Sequence, residues 1–138
     1  MLYLLDSSAI INDLNFELRE NESYAMTNAC LDELKGFREK NIAEAGMRQG
    51  VLSVRDPSAK SLETAKAIAK EKNYYKLSEA DVGVVALATD FKAEGKSFSV
   101  VTDDFLVQNF LKLLGLPFEA AFQGKIGKLR SFGKKPKA

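Results

Sequence analysis

Short apolar runs alternate with longer segments of helical periodicity along most of the chain. The apolar runs have the length of strands and lie at residues 2–5, 24–27, 51–54, 98–101 and 116–122. Between most of them, apolar side chains recur at three- and four-residue spacing, which predicts helices that bury one face. Such alternation is typical of a parallel sheet with helices on both faces. The pattern therefore predicts an α/β domain with four to five parallel strands.

Capping residues predict where the helices begin and end. Ser7 or Ser8 is expected to cap a short first helix, and Asn28 a second one. Ser78 and Asp81 have the spacing of a capping box at the start of another helix. The remaining helices are predicted at residues 39–49, at 58–72 and from the acidic pair 103–104 to Gly115, with a loop at 12–23.

The helix that begins near Ser78 is apolar over much of its circumference. Val82, Val84, Val85 and Leu87 lie within a single stretch of this helix, which predicts that it is buried. A carboxylate at the buried end of such a helix is costly unless it is paired or holds a metal ion. Asp81 can therefore serve as both a capping residue and a ligand.

Acidic residues directly follow two of the predicted strands. Asp6 ends the first strand, and Asp103 and Asp104 follow the strand that contains Val100 and Val101. Structural explanations exist for each acid. Asp6 can accept backbone N–H groups in a turn, and Thr102 or Asp103 can cap the next helix while Asp104 stabilises its N-terminal dipole.

The carboxyl ends of parallel strands meet at one edge of the sheet, which is where open α/β sheets bind ligands. Asp6 and the pair Asp103 and Asp104 are expected at this edge because they follow strands, and Glu33 and Asp81 because they lie near the N-terminal ends of helices. Consecutive positions on one helix allow only one of Asp32 and Glu33 to face the edge. Several carboxylates at one edge repel one another unless cations neutralise them. A pair of cations about 3.5–4 Å apart is the usual arrangement for in-line attack on a phosphodiester.

The composition narrows the possible chemistry. The chain has no histidine, which excludes Ser-His-Asp and Cys-His catalysis and histidine-ligated zinc. A catalytic metal must therefore bind oxygen ligands, as Mg²⁺ and Mn²⁺ do. The lone Cys30 fits a reducing cytoplasm and is expected to be a small buried apolar residue. No apolar run is long enough for a membrane span, and no signal peptide is apparent.

Positive charge is concentrated at the end of the chain. The net charge is +1, from 20 basic and 19 acidic residues. Six of the bases lie in residues 124–138, which contain no acid: Lys125, Lys128, Arg130, Lys134, Lys135 and Lys137. The rest of the chain has 14 bases against 19 acids, so its net charge is about −5. We expect residues 1–123 to form one domain and residues 124–138 to form a flexible tail that holds RNA phosphates or is merely solvated.

Four motifs together resemble those of PIN-domain nucleases. They are Leu-Asp-x-Ser at 5–8, Thr-x-x-Cys-Leu-Asp-Glu-Leu at 27–34, Leu-Ser-x-x-Asp-x-x-x-x-Ala-Leu-Ala at 77–88 and Val-Thr-x-Asp at 101–104. The resemblance implies a three-layer α/β/α fold and a catalytic metal site formed by Asp6, Glu33, Asp81 and Asp104. It also implies that Asp103 is an auxiliary ligand and that the hydroxyls of Ser8 and Thr102 support the site.

Residues 102–109 and 114–116 most resemble the ribosome-biogenesis endonucleases that trim the 3′ end of small-subunit ribosomal RNA. The similarity covers residues 1 to about 123. It implies a cytoplasmic Mg²⁺- or Mn²⁺-dependent endoribonuclease whose partners are a small-subunit ribosomal RNA precursor and a ribosome-assembly factor. Those enzymes usually carry a four-cysteine zinc ribbon after the nuclease domain. This chain has one cysteine, so no zinc is expected in it.

Three alternatives to this function differ in the partner they require. A VapC-like toxin ribonuclease would share the chemistry but require an antitoxin. A non-cleaving PIN scaffold would bind RNA or an assembly factor, although it would have no need for an intact acid set. A receiver-type phosphoacceptor would place most of its acids after the first strand, where only Asp6 lies.

Overall fold

The computed structural model describes residues 1–120. Over this range the strands are β1 (Leu2–Leu5), β2 (Ser23–Met26), β3 (Leu52–Val54), β4 (Phe98–Thr102) and β5 (Phe118–Ala120). The helices are α1 (Ser7–Ile11), α2 (Asn28–Asp32), α3 (Phe37–Arg48), α4 (Ala59–Glu71), α5 (Glu79–Ala93) and α6 (Phe105–Leu113). The predicted domain boundary at residue 123 and the basic tail at residues 124–138 lie outside this range.

The five strands form one parallel sheet in the order β3-β2-β1-β4-β5. Strand β1 is central, since Leu4 is in register with Ala25 of β2 on one side and with Val100 of β4 on the other. From β1, the chain first adds β2 and β3 on one side of the sheet and then β4 and β5 on the other. The prediction of a parallel α/β sheet is confirmed.

Helix α5 is buried over most of its surface, as the sequence predicted. Val84, Val85 and Leu87 are inaccessible to solvent, and α5 packs against α4 and the central strand. Each fully buried side chain of this size stabilises the fold by about 1.5–3 kcal/mol relative to exposure. The first turn of α5 carries Asp81, so this rigid core element fixes the position of that carboxylate. None of the helices described here is long and apolar enough to cross a bilayer.

Two helix caps differ from the prediction. Asp6, rather than Ser7 or Ser8, is the N-cap residue of α1, and its side chain makes no capping hydrogen bond. Thr27, rather than Asn28, caps α2 by accepting a hydrogen bond from the Cys30 N–H. Asn28 is instead the first residue of that helix. In both cases adjacent residues are good caps, so composition alone leaves the boundary uncertain by one position.

The helix start predicted at Ser58 and the capping box predicted at Ser78 are confirmed. The Ser58 hydroxyl accepts from the Ser61 N–H at 3.2 Å. Ser78 and Asp81 form a reciprocal capping box, in which each side chain accepts from the backbone N–H of the other residue. The capping box holds the Asp81 carboxylate at the start of α5.

Asp90 fastens the start of α4 to α5. Its carboxylate is buried and accepts hydrogen bonds from the Ser58 N–H at 2.6 Å, the Ser58 hydroxyl at 2.9 Å and the Ser61 hydroxyl at 2.5 Å. Burial opposes ionisation, but these hydrogen bonds outweigh it and lower the pKa of Asp90. No local sequence pattern predicts this contact, because its partners lie about 30 residues apart.

We expect Asp90→Ala to lower the free energy of unfolding by about 2 kcal/mol, because it removes the shared acceptor of the Ser58 N–H and of the Ser58 and Ser61 hydroxyls. A lowered folded-state pKa stabilises the fold above the ordinary aspartate pKa, and that contribution disappears as the pH falls through the folded value. The difference between variant and wild type should therefore shrink below about pH 4. Urea unfolding at pH 7 and pH 3 measures this, with Glu63→Ala on the exposed face of α4 as control.

Candidate active site

Asp6 lies at the carboxyl end of the central strand, where it is 3% exposed. Its N–H continues the sheet by donating to Val101 O at 3.1 Å. Its Oδ2 atom accepts from the hydroxyls of Ser8 at 2.9 Å and Thr102 at 2.8 Å. The carboxylate is thus oriented by two hydroxyls and not by N–H groups of a turn. Ser8 and Thr102, which the resemblance implied as supporting residues, both contact this acid.

Glu33 reaches the same edge from the C-terminal end of α2, and not from near the N-terminal end as predicted, because α2 is short and ends at Asp32. Its Oε1 atom accepts from the Ser7 hydroxyl at 2.6 Å. One atom each of Asp6, Cys30 and Glu33 lies within 4.8 Å of the others. Of the two consecutive acids, Asp32 is exposed and Glu33 is half-buried toward the site.

Asp104 is the N-cap residue of α6. Its Oδ1 atom accepts from the backbone N–H groups of Leu106 at 2.8 Å and Val107 at 3.4 Å. The prediction that Thr102 or Asp103 caps this helix is therefore wrong. Because α6 begins at Phe105, only the residue immediately before it can reach the N–H groups of the first turn. The Thr102 hydroxyl instead accepts from the Asp104 N–H at 3.1 Å.

Asp103 points toward the end of α1. Its Oδ2 atom accepts from Asn12 Nδ2 at 3.0 Å, and its N–H donates to the Ser8 hydroxyl at 3.0 Å. Ser8 therefore links Asp6 to the β4–α6 junction. These contacts tie the junction to α1.

The acids influence one another's ionisation. Burial raises the pKa of Asp6, the hydroxyls of Thr102 and Ser8 oppose this, and the charges of Asp81 and Glu33 raise it further. Burial also raises the pKa of Asp81, and the charges of Asp104 and Glu33 add to that effect. Four carboxylates from distant parts of the chain therefore share one electrostatic environment. Within residues 1–120, none of them forms a salt bridge with lysine or arginine.

Each of the four carboxylates uses one oxygen for orientation. Asp6 Oδ2, Glu33 Oε1, Asp81 Oδ2 and Asp104 Oδ1 accept the hydrogen bonds described above. Among the described residues, the second oxygen of each acid accepts no N–H or O–H group, and only the Cys30 thiol approaches one of them. Hard oxygen ligands without a cationic partner suit a divalent cation such as Mg²⁺ or Mn²⁺. The residues present therefore fit a divalent metal.

Cys30, predicted only to be a small buried apolar residue, also lies beside this site. It is fully buried, and its Sγ atom is 4.0 Å from Asp6 Oδ1. Burial raises the pKa of the thiol to about 12. The spacing of Cys30 and Glu33 could have indicated this, because residues three apart lie on the same face of a helix. No sequence spacing indicated the contacts of Ser7 with Glu33 and of Asn12 with Asp103, because their partners are far apart in the chain.

The sequence matches a family model described as the PIN domain of ribonuclease over residues 3–91. "Endoribonuclease Nob1" of Methanothermobacter thermautotrophicus is 32% identical over 127 residues, which are 91% of this chain and 72% of that protein. "Endoribonuclease Nob1" of Pyrococcus abyssi is 36% identical over 122 residues, or 88% of this chain and 69% of that protein. "Ribonuclease VapC3" of Aeropyrum pernix is 34% identical over 87 residues, or 62% of this chain and 63% of that protein.

A solved structure supports the same fold. The crystal structure of VapBC2 from Rickettsia felis bound to a promoter DNA fragment contains a chain that superposes with a TM-score of 0.57. The match covers 87% of this chain and 98% of that one at 18% identity, so it bears on the fold alone. The family match and the two Nob1 relatives, by contrast, cover most of the chain at the level of sequence. The chain therefore belongs to the PIN-domain ribonuclease family.

Proposed function

We propose that this chain is a divalent-metal-dependent endoribonuclease in which Asp6, Glu33, Asp81 and Asp104 hold one or two Mg²⁺ or Mn²⁺ ions. The observation that carries the proposal is the set of four carboxylates at one edge, each oriented through one oxygen. Because the described part of the chain supplies no cation to these acids, a bound metal best accounts for a cluster that otherwise destabilises the fold.

The four acids and Asp103 have different roles in the proposed mechanism. When bound, the divalent cation supplies Lewis-acid activation of water and neutralises charge on the phosphodiester. Asp6 would hold the metal with an orientation fixed by hydroxyls from both α1 and β4. Asp81 and Asp104 lie at the starts of helices α5 and α6, so both carboxylates are positioned by the first turn of a helix. Asp103 supports the site through Asn12 and Ser8 and serves as an auxiliary ligand.

The substrate we propose is the precursor of small-subunit ribosomal RNA. Residues 102–109 carry the Thr-Asp-Asp-Phe-x-Val-Gln-Asn sequence on which that resemblance depends. The two archaeal relatives named endoribonuclease Nob1 align over most of the chain. Action beside a ribosome-assembly factor belongs to the same proposal.

The test is a cleavage assay on a small-subunit RNA precursor with Mn²⁺, Mg²⁺ or EDTA. We expect endonucleolytic products with either metal and none in EDTA. A non-ribosomal RNA of equal length is the control for substrate choice. Full activity in excess EDTA would contradict the metal-dependent mechanism, and equal cleavage of both RNAs would contradict the ribosomal substrate.

A second candidate is a VapC-like toxin ribonuclease, which the VapC3 relative favours. The catalytic site would be the same, but a toxin would form a complex with an antitoxin. Cleavage of cellular RNA that stops when the product of a neighbouring gene is co-expressed would favour this candidate over the ribosomal one.

We further propose that residues 1–123 form the nuclease domain and that the basic residues in 124–138 bind RNA phosphates. Residues 1–123 have a net charge of about −5 and repel RNA, so affinity for RNA requires local positive charge. Deleting residues 124–138 should weaken RNA binding and flatten its salt dependence by roughly 0.7 in slope for each phosphate that the segment neutralises. The thermal midpoint should stay almost unchanged. Unfolding of the truncated chain would show that the segment is part of the packed domain, and unchanged binding would show that it does not touch RNA.

A further inference from the structure

Among residues 1–120, two phenylalanines are exposed to solvent, and both lie at the starts of helices. Phe105 is 80% exposed as the first residue of α6, and Phe37 is 83% exposed as the first residue of α3. The other described phenylalanines are buried or half-buried: Phe16, Phe91, Phe98, Phe110 and Phe118. Folding does not account for the two exposed rings. A first helical position needs no aromatic side chain, and exposure forfeits the stabilisation that a buried ring supplies.

Both phenylalanines are close in the sequence to members of the acid cluster. Phe105 follows Asp104 directly, and Phe37 comes four residues after Glu33. Helices α3 and α6 both begin at the edge of the sheet where β1 and β4 end, because α6 follows β4 directly and α3 leads back to the start of parallel strand β3.

Hydrogen bonds connect the two positions along one rim. Arg38, beside Phe37, donates to Ile10 O at 2.7 Å and to Asp13 O at 3.3 Å, which ties α3 to the end of α1. Asn12 in that segment donates to Asp103, beside Asp104 and Phe105. The rim therefore runs from Phe37 through the end of α1 to Phe105. Ile11 and Leu14, which are 40% and 78% exposed, add apolar surface to it.

We propose that Phe105 and Phe37 stack on nucleobases of the RNA strand that crosses the acid cluster. This inference rests on the proposed ribonuclease function. The chain outside residues 124–138 has a net charge of about −5, so the surface around the site repels phosphates. Stacking is insensitive to that charge and is available to every base, because each base has a π-face. The rings thus supply attraction at the site where electrostatics opposes binding.

Stacking makes a prediction that simple apolar contact does not. An aromatic ring at residue 105 should be required, whereas an aliphatic side chain of similar size should fail. A protein partner docking on the apolar rim would instead accept Phe105→Leu. The two explanations are therefore separated by one pair of variants, Phe105→Leu and Phe105→Trp.

The experiment measures binding of the full chain to a fluorescent single-stranded RNA and to an abasic strand of equal length, in EDTA and again with Mn²⁺. We expect Phe105→Ala and Phe105→Leu each to weaken binding to the base-containing RNA about tenfold, and Phe37→Ala to do the same. Phe105→Trp should retain wild-type affinity. All variants should bind the abasic strand like the wild type. A 2-aminopurine base in the RNA should be quenched by the wild type and not by Phe105→Leu.

Leu113→Ala and Met47→Ala are matched controls. They are 47% and 40% exposed on the same two helices, about 12 Å and 15 Å along the axis from the rings. Neither should change affinity. Because all four positions are exposed, circular dichroism and thermal midpoints should match the wild type for every variant.

Three results would overturn the proposal. They are equal wild-type affinity for the base-containing and abasic strands, full quenching by Phe105→Leu, and no RNA binding in either buffer. Cleavage is scored separately. Base-dependent binding without metal-dependent cleavage would refute the proposed nuclease function and leave the stacking proposal intact. Metal-dependent cleavage, with wild-type RNA affinity in the phenylalanine variants, would refute stacking and leave the nuclease function intact.

Discussion

Asp6→Asn is expected to lower the rate of RNA cleavage by about 10³-fold or more while the domain remains folded. A divalent cation supplies several kcal/mol of transition-state stabilisation, and each 1.36 kcal/mol corresponds to a factor of ten in rate. Asparagine retains the size of the side chain and can still accept from Ser8 and Thr102. It lacks the charge that a buried ligand contributes to the metal.

The same change should stabilise the metal-free protein at neutral pH. Burial and the charges of Asp81 and Glu33 raise the pKa of Asp6 in the folded state. For an acid with a raised folded-state pKa, the unfolded chain releases its proton first as the pH increases. The wild type therefore loses stability as the pH rises from the ordinary aspartate pKa to the folded value. The substituted asparagine has no proton to release, so the advantage of the Asp6→Asn variant should appear above about pH 4.

Thermal unfolding in EDTA between pH 3 and pH 8, together with single-turnover cleavage, measures both effects. Asp32→Asn is the matched control, because Asp32 is an exposed acid on the helix adjacent to Glu33. Mn²⁺ should raise the thermal midpoint of the wild type and of Asp32→Asn, and it should raise that of Asp6→Asn much less. Retained activity in Asp6→Asn would refute the metal-site assignment.

Asp104→Asn should cost far more activity than Asp103→Asn. We expect a loss of about 10²-fold or more for Asp104, because the change removes a ligand charge. For Asp103→Asn we expect a loss of activity of tenfold or less, because the Asp103 carboxylate is engaged with Asn12 and is proposed only as an auxiliary ligand. Asparagine is also a good N-cap, so Asp104→Asn should leave α6 stable, whereas Asp104→Ala should cost about 1 kcal/mol in addition.

Single-turnover kinetics with saturating Mn²⁺ ranks the two variants, and urea unfolding checks α6. If Asp103→Asn were the more damaging change, the ligand would be Asp103, and Asp104 would serve only as the cap observed here.

The sheet and most helices were predictable because their signals are local. Buried parallel strands are short apolar runs, and a buried helix such as α5 is apolar on most faces. Caps were less predictable, because Thr27 and Asn28 are both good capping residues and only the backbone geometry chooses between them. The interpretation of Glu33 needed the family resemblance, since its contact with Ser7 spans 26 residues and leaves no periodic trace.

The central position of β1 has a consequence for the synthesis of the protein. Asp6 is held by Thr102, which lies 96 residues later in the chain, and Leu5 pairs with Val101 of β4. The first strand and its acid thus remain without their main partner until β4 has left the ribosome. Contacts of such sequence separation close late and slow folding. A nascent chain that stops before β4 cannot assemble the acid cluster, so nuclease activity would begin only when the domain is nearly complete.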